Sequence, residues 1–362
     1  FHPLRCLAPC SMQTIAEHTS DRFCAVNHDH DDAIAEGRIA AALGAAKHRR
    51  TAEPPSGWTC AWAVFAASLF LVAPPHRPHW AVDAACECDT PQTIAVLMEL
   101  FDSTKGPTWT NNPTQWSRTP SVAVCGWAGI TCTGASLAIE LPSANLTGTL
   151  PANISLLGAA LTLIDLSGNV LSGTLPDSWS ALSAATSIDV HNNQLTGPLL
   201  SSWSALSASL RYLYLAENKL NGTLPASWSA LPILTISFNN NRLSGTLPVT
   251  WGSTSWQYVY LQNNELTGPL PPEWGSFSLL RTLSLHHNSL SGPLPASWSG
   301  LSVLIELYLN DNKLTGTLPN AWGALVTLNI FAVDNNYLDQ PLPATDGSPV
   351  WTEPISGTFL PQ

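Results

Sequence analysis

Five of the six tyrosines fall where strand alternation turns a side chain outward: Tyr212, Tyr214, Tyr258, Tyr260 and Tyr308. In "YLYL" (212–215), "YVYL" (258–261) and "ELYL" (306–309) apolar residues alternate with them, so a strand sends one set inward and the other out. A phenol offers broad contact area, a hydroxyl and little conformational entropy to lose, which suits binding rather than turnover. Tyrosine also favours strands for its own sake, so the row leaves a structural reading open beside the binding one. Polar neighbours in the same stretches are Glu217, His286, His287, Glu306 and Asp311. They supply carboxylates and imidazoles, but no nucleophile–base pair, metal cluster or phosphate loop stands out among them. His28, Asp29 and His30 in "HDHDD" lack further ligands at a known metal spacing. The expectation is a binding surface without catalysis, cofactor or metal.

What must position these side chains is a repeat. Asparagine recurs at Asn169, Asn193, Asn218, Asn241, Asn264, Asn288, Asn312 and Asn336, at intervals of 23 to 25 residues. Glycine keeps step from Gly148 to Gly316, and tryptophan does so at Trp179, Trp203, Trp228, Trp251, Trp274, Trp298 and Trp322. The shared phrase is L-x-x-L-x-L-x-x-N-x-L-[ST]-G-[TP]-L-P-x-x-W-x-x-L. In "YLYLAENKLNGTLPASWSAL" (212–231), Leu213 and Leu215 turn inward, and Asn218 sits where the chain leaves the strand. Its amide is suited to pairing backbone groups of the turn and of the adjacent coil. Gly222 permits a turn, Leu224 returns to the core, and Pro225 redirects the chain. Trp228 stands three residues from both Pro225 and Leu231, on one side of a short helical turn. The tryptophans therefore read as a stacked core ladder, although aromatic rows also bind sugars and bases.

These columns resemble leucine-rich repeats of the plant type. The resemblance implies an α/β solenoid, a right-handed superhelix with one short strand per repeat forming a concave parallel sheet. The five tyrosines and their polar neighbours would then project from the concave face. Residues 86–134 resemble the helical, disulfide-closed cap that precedes such repeats. Thr90 and Pro91 start its helix, and "CGWAGITC" spaces Cys125 and Cys132 for a local disulfide. The partners of Cys86 and Cys88 stay open. Tryptophan in nearly every repeat is similar to the promastigote surface antigen family of kinetoplastid protozoa. That implies a secreted or cell-surface protein contacting macromolecules outside the cell.

The bulk numbers agree with export. Charged residues are 11% of the 362, and the formal net charge is −11. From residue 84 onward there are seven Lys/Arg against seventeen Asp/Glu, so no basic patch favours nucleic acid. Residues 1–57 show no convincing periodicity and read as unstructured. Residues 58–85 read as a signal peptide or signal anchor, with the apolar run Thr59–Ala73 and a cleavage site near Ala84 or Ala85. About nine repeats occupy 135–343, and 344–362 is a tail. Sequons at Asn145, Asn153 and Asn221 suit the secretory route. The expected function is extracellular or cell-surface recognition or adhesion through the concave face. The partner would be an extracellular protein or glycan, with membrane contact only through a signal anchor or a missing C-terminal anchor. The alternatives are a secreted hydrolase inhibitor of the polygalacturonase-inhibitor type and the ectodomain of a truncated receptor kinase.

Overall fold

A computed structural model describes residues 88–110, 115–120, 122–253 and 255–339. The expected segments 1–57, 58–85 and 344–362, Cys86 and the His28–His30 cluster lie outside the described residues.

The cap begins with helix α1 (Pro91–Ser103). Thr90 caps it, its hydroxyl oxygen accepting the Thr93 N–H at 3.1 Å, and Pro91 opens the first turn where no N–H is needed. The helix buries Val96, Leu97, Met98 and Leu100. Beside it Phe101, Trp109, Trp116 and Trp127 form an aromatic cluster with successive ring centroids 5.0 to 6.1 Å apart. A disulfide joins Cys125 to Cys132.

Strands β1 (Ile130–Thr133) and β2 (Ser136–Glu140) pair antiparallel and start a ten-stranded sheet. It continues in parallel through β4 (Leu161–Asp165), β6 (Ser187–Asp189), β8 (Tyr212–Tyr214), β10 (Thr235–Ser237), β12 (Tyr258–Tyr260), β14 (Thr282–Ser284), β16 (Glu306–Tyr308) and β18 (Ile330–Ala332). Each of these strands sends a leucine, isoleucine, valine or phenylalanine inward, as at Leu213, Val259 and Leu283, all fully buried. The chain is an α/β solenoid, although its repeats use short 3₁₀ turns where the cap uses an α-helix.

The L-[ST]-G-[TP] segment is more than the turn expected of it. It builds a second strand per repeat: β3 (Thr147–Thr149), β5 (Val170–Ser172), β7 (Thr196–Pro198), β9 (Lys219–Thr223), β11 (Arg242–Thr246), β13 (Glu265–Pro269), β15 (Ser289–Pro293), β17 (Lys313–Gly316) and β19 (Tyr337–Leu338). β7 to β19 form a seven-stranded parallel sheet, and β3 pairs with β5. With Leu220 and Leu224 both anchored in the core, the backbone between them lies beside the same groups of the next coil and pairs with them. Glycine is required within this strand: Gly245 has φ +78°, and a Cβ there would lie 2.8 Å from Cγ2 of Thr223.

The asparagines join successive coils. Oδ1 of Asn218 accepts the Leu195 N–H at 2.9 Å, while its Nδ2 donates to the carbonyls of Val190, Leu215 and Ala216 at 3.0 to 3.2 Å. The other ladder asparagines repeat this set, for example Asn312 on Leu290, Leu285, Leu309 and Asn310. Ala144 stands in the first coil's ladder column, and its N–H donates to Oδ1 of Asn169.

All seven repeat tryptophans are fully buried. Trp179 stacks on Trp203, and Trp251, Trp274, Trp298 and Trp322 form a continuous stack with centroids 6.0 to 6.5 Å apart. Each indole N–H donates to a backbone carbonyl one coil back, as Trp251 does to Pro225 at 3.1 Å and Trp298 to Pro271 at 2.9 Å. The column is thus both packing and a staple between coils.

Candidate ligand-binding face

Outward positions of the ten-stranded sheet hold the predicted binding residues. Tyr212 and Tyr214 lie on β8, Tyr258 and Tyr260 on β12, and Tyr308 on β16, all half-buried. The strands between carry small hydroxyl residues in the same rows: Thr235 and Ser237 on β10, Thr282 and Ser284 on β14. The parallel register sets Thr235 between Tyr212 and Tyr258, and Ser284 between Tyr260 and Tyr308. Tyrosine and hydroxyl residues therefore alternate from strand to strand. The large rings flank the short side chains, which explains why Thr282 (0% exposed) and Ser284 (2%) are buried on a nominally outer face. The rings of Tyr212 and Tyr214 are parallel within 9°, with centroids 6.4 Å apart.

Two predicted residues are corrected here. Glu306 and His286 are not exposed contact groups but are buried, at 7% and 9%. Glu306 accepts the Thr282 hydroxyl at 3.2 Å. Nδ1 of His286 lies 2.9 Å from Oγ of Ser284, and its ring packs on His287 and Tyr308 at 5.1 and 5.8 Å. Alternation fixed their direction, but the neighbouring strands' side chains close over them.

Glu217, His287 and Asp311 share a different column, immediately before the ladder asparagines. All three have left-handed backbone, with φ of 55°, 51° and 55°. Asparagine and glycine occupy this column elsewhere, which suits the conformation at lower steric cost. Asp311 receives Asn310 Nδ2 at 2.6 Å and Asn335 Nδ2 at 2.8 Å, and Nδ1 of His287 lies 3.4 Å from it. Glu217 is exposed.

Acidic residues on the N-terminal strands complete the face. Oδ1 of Asp165 accepts the N–H and hydroxyl of Ser167. Oδ1 of Asp189 accepts the His191 N–H and meets its ring Nδ1 at 2.7 Å. That hydrogen bond raises the His191 pKa above 6.5, with the charges of Asp189, Glu217 and Asp165 assisting against desolvation. Burial, then the charge of Asp189, pushes the Tyr214 phenol up to about 12. A signal for these groups exists in the sequence: Asp-x-Ser and Asp-x-His at a strand's end place both side chains on one face.

The sequons differ in setting. Asn221 is exposed on β9, whereas Nδ2 of Asn145 donates to the Thr108 carbonyl at 3.1 Å. Asn153 is half-buried, with Oδ1 enclosed and no hydrogen-bond partner.

Residues 160–182, 209–231, 255–277, 279–301 and 303–325 match the family description Leucine Rich Repeat. Among solved structures, the ectodomain of the Arabidopsis thaliana receptor kinase GASSHO1/SCHENGEN3, in complex with Casparian strip integrity factor 2, is similar at 29% identity. The match covers 69% of this chain and 30% of that one, with TM-score 0.65. The chain carries leucine-rich repeats and is similar to plant leucine-rich repeat ectodomains. The Arabidopsis receptor kinase HAESA, in complex with the peptide hormone IDA and the co-receptor SERK1, is similar at 25% identity and TM-score 0.55, covering 68% and 46%. A plant ice-binding protein shares the fold at 23% identity and TM-score 0.53, covering 70% and 89%. The leucine-rich repeat chain described here thus spans less than half the length of these two receptor ectodomains. No curated protein sequence matches it. Among its described residues no helix is long and apolar enough to cross a membrane.

Proposed function

We propose that this leucine-rich repeat protein is an extracellular recognition module whose tyrosine-bearing sheet binds a protein or peptide ligand without turning it over. The observation that carries this reading is the strand-to-strand alternation of half-buried tyrosines with threonine and serine from β8 to β14, continued to Tyr308 on β16 in one row and ending at Glu306 in the other. Strand preference alone favours tyrosine and threonine alike on any strand, and does not account for their regular alternation or for Ser237 and Ser284 between the rings. The receptor ectodomains of similar fold, solved with peptide ligands, support the same use of this architecture.

A surface-antigen-like adhesin is the second reading, favoured by tryptophan in the column where plant-type repeats carry an aliphatic residue. Both readings place the contact on the same tyrosines, so one experiment addresses them. The purified, fluorescently labelled protein is applied to intact cells and to immobilised extracellular glycoproteins. The variant Tyr212→Ser, Tyr214→Ser, Tyr258→Ser, Tyr260→Ser should lose binding by at least about tenfold, the loss of roughly one hot-spot contact. Retained binding with an unchanged circular dichroism spectrum rejects the face.

A further inference from the structure

The spacing and charge of the tyrosine face specify what shape of peptide fits it. Strands in a sheet lie about 4.8 Å apart, so tyrosines on alternate strands recur about every 9.6 Å along the array. β8, β12 and β16 then span about 19 Å. A polyproline-II helix advances about 9.3 Å per turn of three residues, so every third side chain returns to the same face in step with the tyrosines. An extended β-chain fails this test. Its same-face period is about 6.6 Å, so a residue aimed at β8 has its counterpart turned away at β12.

Carboxylates predominate on this face, with His191 set against Asp189 and His287 against Asp311. Asp165, Asp189, Glu217, Asp311 and Asp334 border the tyrosines, and the outward positions of β4 to β18 carry neither lysine nor arginine. Arg211 and Arg281 stand immediately before β8 and β14, and Nη1 of Arg211 is held by the Leu210 carbonyl at 3.2 Å. A cation laid on this face meets the half-buried phenol rings and nearby carboxylates, with Thr282 and Ser284 buried between the rings.

Resting on the recognition face proposed above, we infer that its ligand is a cationic polyproline-II peptide lying across the strands, with a lysine or arginine at every third position. Prolines preset the helix and leave little entropy to lose on binding, while the cations lie over the tyrosine rings beside the carboxylates.

The test uses the full chain and synthetic peptides in calorimetry at low salt. (Lys-Pro-Pro)4 is compared with (Lys-Pro)6, which keeps the helix but breaks the period. It is also compared with (Lys-Gly-Gly)4, which keeps the period but not the helix, and with (Glu-Pro-Pro)4. The expected result is (Lys-Pro-Pro)4 binding at least tenfold tighter than both other lysine peptides, with no binding of the glutamate peptide. Tyr258→Ala with Tyr260→Ala should remove that preference. Thr246→Ala on the second sheet should leave it unaltered. Equal affinities for the lysine peptides, or an unaltered preference in the folded tyrosine variant, overturn the inference. If the serine variant loses its binding to cells while none of the peptides binds, the face stands and the ligand class is wrong.

Discussion

At the scale of single residues, neighbours decide what a side chain does. His191 and His286 occupy the same column two coil pairs apart, yet one pairs with a carboxylate and the other with a serine hydroxyl under a tyrosine. The Asp189 contact gives His191 a folded pKa above its ordinary 6.5. The proton is therefore bound more tightly in the folded chain. That stabilisation is fully present below about pH 6.5 and is lost as pH rises through the raised folded value. An NMR titration should place His191 above 6.5, and Asp189→Asn should bring it back down; an unchanged value in that variant dismisses the contact as its cause. The asparagine ladder was legible without coordinates, because an amide that must satisfy several backbone groups tolerates few replacements. The burial of Glu306 and His286 was not, because alternation gives direction and says nothing of what the adjacent strand places on top.

Among the elements, the tryptophan ladder shows most directly how the repeats hold together. Volume and spacing mark Trp228 as core, but its N–H bond to the Leu200 carbonyl at 3.0 Å crosses to the preceding coil and needs the fold to be seen. Trp228→Ala should destabilise by about 3–5 kcal/mol in urea unfolding, through lost packing and the cavity left behind. Trp228→Phe keeps much of the ring and loses only that bond, since the Leu200 carbonyl still accepts the Trp203 N–H, and should cost less, about 0.5–1.5 kcal/mol. An unchanged midpoint in the alanine variant would contradict the packing account. The second sheet escaped the sequence reading for a related reason. Glycine with flanking threonine or proline is turn chemistry taken alone, and becomes a strand only when the next coil offers the same groups in register.

For the whole molecule, near-identical coils make stability a sum of coils and the interfaces between them. A break at mid-array should divide the unfolding more than a break at an end. Trp251 stacks on Trp274 and lies 4.7 Å from Trp256, so Trp251→Ala should broaden or split the unfolding transition followed by hydrogen exchange. A single sharp transition at lower temperature would mean that the array unfolds as one cooperative unit. By itself the sequence determined the period, the inward columns, the asparagine ladder and the helix start at Thr90. These depend on contacts within one coil or on a rule repeated in every coil. The tertiary structure alone decided the second sheet, the stapling tryptophan N–H groups, the enclosure of Glu306 and His286, and the comb of tyrosines over threonine and serine. Each of these arises between coils, where residues more than twenty positions apart come side by side only after the solenoid has closed its register.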